Sequence, residues 1–148
     1  GELEPTRCDE VAQYAHGSPR RPVHENMIPR DSINTEKMRA NFDAMERDLC
    51  FVGHSHIPAI YYDDGRLFRP SGTEGPYELA TETSSKAIIN VGSVGQARDG
   101  DTRLSYAIFD GRTITFVRLE YSHETAAERI RAVNELPDYL ADRLAVGR

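Results

Sequence analysis

No apolar run in this 148-residue chain approaches the ~20 residues that a helix needs to cross a bilayer. An integral membrane helix is therefore not expected, and no membrane partner is expected with it. Cysteine is scarce. Cys8 and Cys50 are too few for a disulfide framework, and Cys50 sits in an apolar run where a buried core thiol is expected. That usage suits a reducing compartment, so a cytoplasmic location is the expectation. Basic residues are outnumbered, 18 Lys and Arg against 24 Asp and Glu, for a net charge of -6. A broad nucleic-acid surface would need clustered cations and is not expected. The start has no basic flank followed by an apolar stretch, so it does not read as a signal peptide. It also lacks an initiator Met, which suggests that the chain begins inside a longer protein or after processing. No Ser-His-Asp or Cys-His arrangement supports nucleophilic catalysis.

What is present is ordinary for a globular protein: 39% apolar and 28% charged residues, enough for one domain with a single core. Val11 to Ala15 reads as a short strand that stops at His16-Gly17-Ser18-Pro19. Residues 19–31, rich in Pro, Arg and Asn, are expected to form an irregular surface loop. Met38, Phe42, Met45 and Leu49 recur at helical spacing and predict a helix over 34–48, capped by Asn34 or Ser32. Leu49 to Val52 is a continuous apolar run, as in a strand covered on both faces, and breaks at Gly53-His54-Ser55-His56. Residues 57–62 and 66–69 flank Asp63-Asp64-Gly65, a hairpin signal, with Tyr61 and Tyr62 expected to alternate between core and solvent. Residues 70–85 are expected to be an exposed loop. Lys86 to Val91 is another buried-type strand. Residues 104–109 and 113–119 flank Asp110-Gly111-Arg112, a second hairpin whose buried face the imperfect alternation leaves open. Helices close the chain, one capped by Ser122 and one opened by Pro137, with Gly147 as a stop. The class is α/β.

Three of the five histidines fall in loops directly after predicted strands, where α/β sheets bind ligands. Neutral imidazole is a good ligand for Zn, Mn and Fe. In His54-Ser55-His56 the spacing of two lets both rings leave the same side of an extended segment, and Gly53 eases the turn. On its own, a His-x-His fits two exposed loop histidines better than a metal site. The context changes that judgement. Apolar strand-Gly53-His54-Ser55-His56-Ile57-Pro58 resembles the Gly-His-x-His motif of calcineurin-like metallophosphoesterases. Ala15-His16-Gly17-Ser18-Pro19-Arg20 resembles the His-Gly-Ser-Pro loop of that family's bacterial branch. Ile89-Asn90-Val91-Gly92-Ser93-Val94-Gly95-Gln96, followed by Arg98-Asp99-Gly100-Asp101, resembles its Asn-x-Gly-Ser-Val-Gly-Gln segment.

The resemblance implies the C-terminal portion of a calcineurin-like phosphoesterase β-sandwich flanked by helices, with 1–148 as the C-terminal part of a single domain. It implies a divalent-metal-dependent phosphoesterase acting on a phosphorylated small molecule or a phosphoprotein. By family analogy, His16 and His54 ligate one of two metal ions and His56 the other, with Mn, Fe or Zn favoured over Mg alone. The chemistry implied is two-metal hydrolysis of a phosphomonoester or phosphodiester. The family's Asp-x-His, Gly-Asp and Gly-Asn-His motifs do not occur in this sequence. They supply the bridging Asp, further ligands and the histidine that protonates the leaving group, so no catalytic acid is assigned here. Three imidazoles alone make a partial site. The chain is therefore expected to be inactive by itself and to pair with the missing N-terminal half or with itself. The alternative is a non-catalytic protein-interaction module on the same fold.

Four further residues are candidates for substrate binding. Arg98 and Arg103 flank Asp99 and Asp101, and a phosphate contact there stands level with a plain ion-pair loop. Ser93 and Gly95 offer backbone N–H groups to an anion, with a structural turn the plainer reading. Arg20 and Arg21 are placed to steer anions towards the site. His24 and Glu25 share their loop, for which solvation is the plainer reading. His123 lies at a helix start, where capping or exposure is expected.

Overall fold

The computed structural model describes residues 4–148. Two sheets pack face to face, and a helical layer covers the outer face of the larger one. The larger sheet has six strands in the order β1 (Thr6–Cys8), β2 (Ala12–Ala15), β3 (Leu49–Val52), β7 (Ala87–Asn90), β4 (Ala59–Tyr62) and β5 (Leu67–Phe68). The smaller is β6 (Glu74–Glu78), β9 (Thr113–Leu119) and β8 (Leu104–Phe109). Pairs β2–β3 and β3–β7 are parallel, and every other pair is antiparallel. Among the described residues no helix is long and apolar enough to cross a membrane.

The unbroken apolar runs are explained by two cores on opposite faces of the large sheet. Successive strand residues point to opposite faces. Leu49, Ile60, Tyr62, Ala87 and Ile89 therefore face the small sheet, meeting Leu79, Ile114 and Phe116. Cys50, Val52, Ala59, Tyr61 and Ile88 face the other way, against Met27 and the Met38, Phe42 and Met45 stripe. Tyr61 and Tyr62 thus do not alternate between core and solvent: both are buried, one in each core.

Helix α1 (Thr35–Asp43) starts as expected, with Asn34 Oδ1 accepting the Lys37 N–H at 3.0 Å. It ends a turn earlier than its apolar spacing predicts. The buried Gln13 side chain accepts the Glu46 N–H at 3.0 Å, and Arg47 Nε donates to the Asp9 carbonyl. These bonds draw residues 46 and 47 towards β1 and β2 and out of helical register. Met45 still packs in the same core. Residues 70–85 are not simply an exposed loop, because they contain β6, which pairs with β9 and is followed by the buried Leu79. Gly75 and Pro76 hide this strand from a sequence reading, and Pro is tolerated because β6 lies at a sheet edge.

The open question about β9 is resolved by its third inward position. Ile114 and Phe116 point to the core, and so does Arg118, whose guanidinium pairs with Asp99 beside Asp101. Helix α2 (His123–Arg131), the single-turn α3 (Tyr139–Asp142) and a 3-10 turn (Arg143–Val146) form a separate small cluster around Ala127, Ala141 and Leu144. Gly147 ends it with φ of 63°.

Candidate metal centre

Because β2, β3 and β7 are adjacent and parallel, their carboxyl ends share one edge of the sheet. The three loops that leave them carry His16, then His54 and His56, then residues 92–98. Backbone bonds tie these loops together: Gly53 N–H donates to the His16 carbonyl at 3.0 Å, and Arg98 N–H to the His56 carbonyl at 3.3 Å.

His16 Nε2 and His54 Nδ1, 38 residues apart in sequence, lie 2.8 Å from each other. Ring nitrogens bound at ~2.1 Å to one cation at tetrahedral or octahedral angles stand roughly 3.0–3.4 Å apart. At 2.8 Å the two nitrogens share an N–H···N hydrogen bond, a few tenths of an ångström inside that range, so a cation bound between them would displace that proton and part the rings slightly. Burial, then the positive charge of neighbouring His16, Arg98 and His24, lowers the His54 pKa and favours the neutral, ligating form. His56 faces a different partner. Its Nδ1 donates to the Gln96 carbonyl at 2.6 Å, which fixes the tautomer and leaves Nε2 with a free lone pair. Burial again lowers its pKa, only partly offset by that bond.

Both His54 and His56 hold left-handed backbone, with φ of 56° and 59°. Side chains disfavour that conformation, and it collects at functional sites. The loop is over-determined by a residue that sequence reasoning left as part of a motif. Asn90, fully buried at the end of β7, donates to the Gly53 carbonyl at 2.6 Å and to Ser55 Oγ at 2.8 Å. Its Oδ1 accepts the Gly92 N–H at 3.0 Å. One amide thus joins the loop after β3 to the loop after β7. The signal was a polar residue closing an otherwise apolar buried strand.

The loop after His16 is anchored rather than solvated. Glu25 accepts from Arg20 Nε at 2.9 Å and Arg20 Nη2 at 2.6 Å, from Ser18 Oγ at 2.8 Å and from Asn41 Nδ2 at 3.1 Å. The Arg20 bond, with Ser18 and Asn41, holds its carboxyl down at about 2. Gly17 lies so close to this loop that a Cβ there would stand 2.8 Å from the Glu25 carbonyl oxygen.

The four candidate substrate contacts differ in how far they are engaged. Arg20 is committed to Glu25. Arg103 makes a two-pronged pair with Asp101. Ser93 Oγ turns inward to accept the Gln96 and Gly95 N–H groups. Arg98 donates to Gln96 Oε1 at 2.8 Å, while its buried Nε has no partner among the described residues. His123 opens α2 beside Glu124 and Tyr121. Among the described residues, no three His, Cys, Asp or Glu side chains converge to hold a metal. His16 and His54 meet each other, and His56 is bonded to Gln96 instead.

A sandwich of mixed sheets with histidines at the carboxyl edge of its parallel strands is an α/β architecture shared with metallophosphoesterases. Compared with solved structures, the chain matches a metallophosphoesterase from Sphaerobacter thermophilus over 99% of its length, at 36% identity and a TM-score of 0.84. It also shares its fold with a hypothetical protein from Pyrococcus horikoshii OT3, at 18% identity, a TM-score of 0.67, and coverage of 99% of this chain and 52% of that one. An uncharacterised protein of Methanocaldococcus jannaschii is 44% identical over 103 residues, or 68% of this chain. No protein-family model matches the chain. The chain has the fold of the Sphaerobacter metallophosphoesterase, and this likeness supports a calcineurin-like metallophosphoesterase. It spans 59% of the Sphaerobacter chain and 40% of the Methanocaldococcus relative.

Proposed function

We propose that this chain supplies part of the metal-binding half of a phosphoesterase centre, which hydrolyses a phosphorylated small molecule or phosphoprotein. The observation that carries the reading is the convergence of His16 Nε2 and His54 Nδ1, from two loops at one sheet edge, to 2.8 Å. His16 and His54 would hold one divalent cation, and His56 Nε2 a second. Bound there, the cations would supply Lewis-acid stabilisation of phosphoryl oxygens and a water acidified for attack.

The chain's own residues have narrower tasks. Asn90 and the Gln96 carbonyl hold the ligand loop in its left-handed form. Glu25 fixes the His16 loop. Arg98, tied to the ligand loop by its N–H to the His56 carbonyl, would be the cation that meets a phosphoryl oxygen. The proton for the leaving group would come from residues outside this set.

Calorimetric titration of the metal-free chain with Mn²⁺ tests the reading. Binding that is lost in His54→Ala, and weakened in His56→Ala, is expected. Binding unchanged by both substitutions would refute the ligand assignment.

A further inference from the structure

A buried ion pair stands behind the loop that holds His56. The inward positions of β9 run Ile114, Phe116 and Arg118, and the third puts a charge where the first two put core. The side chain of Arg118 is 1% exposed, and that of its partner Asp99 is 8% exposed. Arg118 Nη2 donates to Asp99 Oδ2, and Nη1 donates to the Arg103 carbonyl at 3.3 Å. Arg118 Nε and Asp99 Oδ1 are buried with no partner among the described residues.

Such a pair is a poor means of stabilising a fold. Taking two charges out of water can cost more than their attraction returns, and apolar residues of similar volume are often as stable or more so. An aliphatic residue at 118 would also continue the β9 pattern. What the pair does supply is position. It grips one side of segment 96–103, at Asp99 and at Arg103. The other side of that segment meets the ligand loop. The Gln96 carbonyl accepts from His56 Nδ1 at 2.6 Å, and the Arg98 N–H donates to the His56 carbonyl at 3.3 Å. Asp99 follows Arg98 directly, so a gripped residue and one that touches His56 are neighbours in the chain. Tyr121 ties the stretch at the Gly95 carbonyl, at 2.7 Å, and Gly147 ties it at the Gly100 N–H, at 3.0 Å. Among the described residues, the hold beside Arg98 is left to Arg118.

We propose that Arg118 is a positioning residue for His56. Through Asp99 it sets segment 96–103, so that the Gln96 carbonyl captures Nδ1 and the other ring nitrogen stays bare for a cation. The cation rests on the metal-centre reading above; the hold on the ring does not.

The double variant Asp99→Leu with Arg118→Met removes both charges and keeps the volume. Nitrogen-15 NMR of the metal-free chain at about pH 8, where imidazole is neutral, reads the His56 tautomer. Urea unfolding reads stability. The double variant is expected to unfold at the wild-type midpoint or above it. It is expected to lose the single Nδ1–H form of His56 while the His16 and His54 rings stay as they were. His56-dependent Mn²⁺ affinity should fall about tenfold or more, as when a metal-binding histidine loses the partner that orients it. Arg118→Lys keeps a cation beside Asp99 and should hold the tautomer. A double variant with the wild-type tautomer overturns the proposal. So does a tautomer lost only together with a lower midpoint and disturbed His16 and His54 rings, which is what a merely structural role gives. A Lys variant that releases the ring as fully as the double variant also counts against the pair. If the tautomer is released as expected and the wild type shows no His56-dependent Mn²⁺ binding, the metal-centre reading fails and the positioning of the ring stands.

Discussion

Replacing Asn90 by Ala isolates the amide that joins the two ligand-bearing loops. The substitution removes three hydrogen bonds, to the Gly53 carbonyl, to Ser55 Oγ and from the Gly92 N–H. A typical net contribution is ~1 kcal/mol each, and a buried partner left unpaired costs ~1–3 kcal/mol. Water entering the space left by the side chain restores part of this for Ser55, whose hydroxyl rotates. The expected loss is therefore about 3 kcal/mol, a large share of the ~5–15 kcal/mol that holds a domain together. Urea unfolding followed by circular dichroism measures it, with the midpoint falling at unchanged slope. The loss should be accompanied by weaker Mn²⁺ binding, because nothing else over-determines the left-handed backbone at His54 and His56 to the same degree. Ser55→Ala breaks only one of the three bonds and should cost about 1 kcal/mol. If Asn90→Ala costs less than Ser55→Ala, or leaves Mn²⁺ affinity intact, the two loops are not held through this side chain.

Glu25 makes a pH-dependent prediction. Its pKa falls from an ordinary 4.5 to about 2 on folding, so its contribution is full above about pH 4.5 and disappears as pH drops through about 2. With the side chain only 11% exposed, the shift corresponds to roughly 3 kcal/mol. The stability gap between the wild type and Glu25→Gln should therefore close steadily between pH 5 and pH 2, and a gap independent of pH would contradict the account. The left-handed His54 makes the opposite kind of prediction. His54→Gly relieves a disfavoured conformation, worth about 1–2 kcal/mol, but loses the bond to His16, worth about 1 kcal/mol, so the metal-free glycine variant should be at least as stable as His54→Ala, which loses the bond and keeps the strain, while both abolish Mn²⁺ binding. Thermal unfolding with and without Mn²⁺ reads both effects, and a glycine variant less stable than His54→Ala would show that the strain is absent.

The parts legible in the sequence were those written locally. Leu49 to Val52 and the Gly-His-Ser-His that follows announce a buried strand and its turn within eight residues, and the hairpin glycines do the same for β8 and β9. The parts that were missed depend on partners far along the chain. Nothing near Glu46 says that Gln13 will take its N–H and stop α1 early. Nothing near Arg118 says that an arginine will occupy an inward position because Asp99 waits there. Glu25 reads as one more charge in a polar loop until Arg20, Ser18 and Asn41 close around it. The site itself was half legible. Its histidines, and the expectation that His16 goes with His54 while His56 stands apart, came from motif resemblance, but the 2.8 Å contact of His16 with His54 and the bond of His56 to the Gln96 carbonyl depend on which strands lie side by side.

The parallel alignment of β2, β3 and β7 also sets when, during folding, the two imidazoles can meet. Contacts separated by 38 residues carry a large loop-closure cost and depend on non-local strand pairing, which forms slowly. An interaction completed only after that pairing is absent from the folding transition state. A cation held by His16 and His54 would thus act as a latch on the finished molecule: it would slow unfolding while leaving the folding rate where it was.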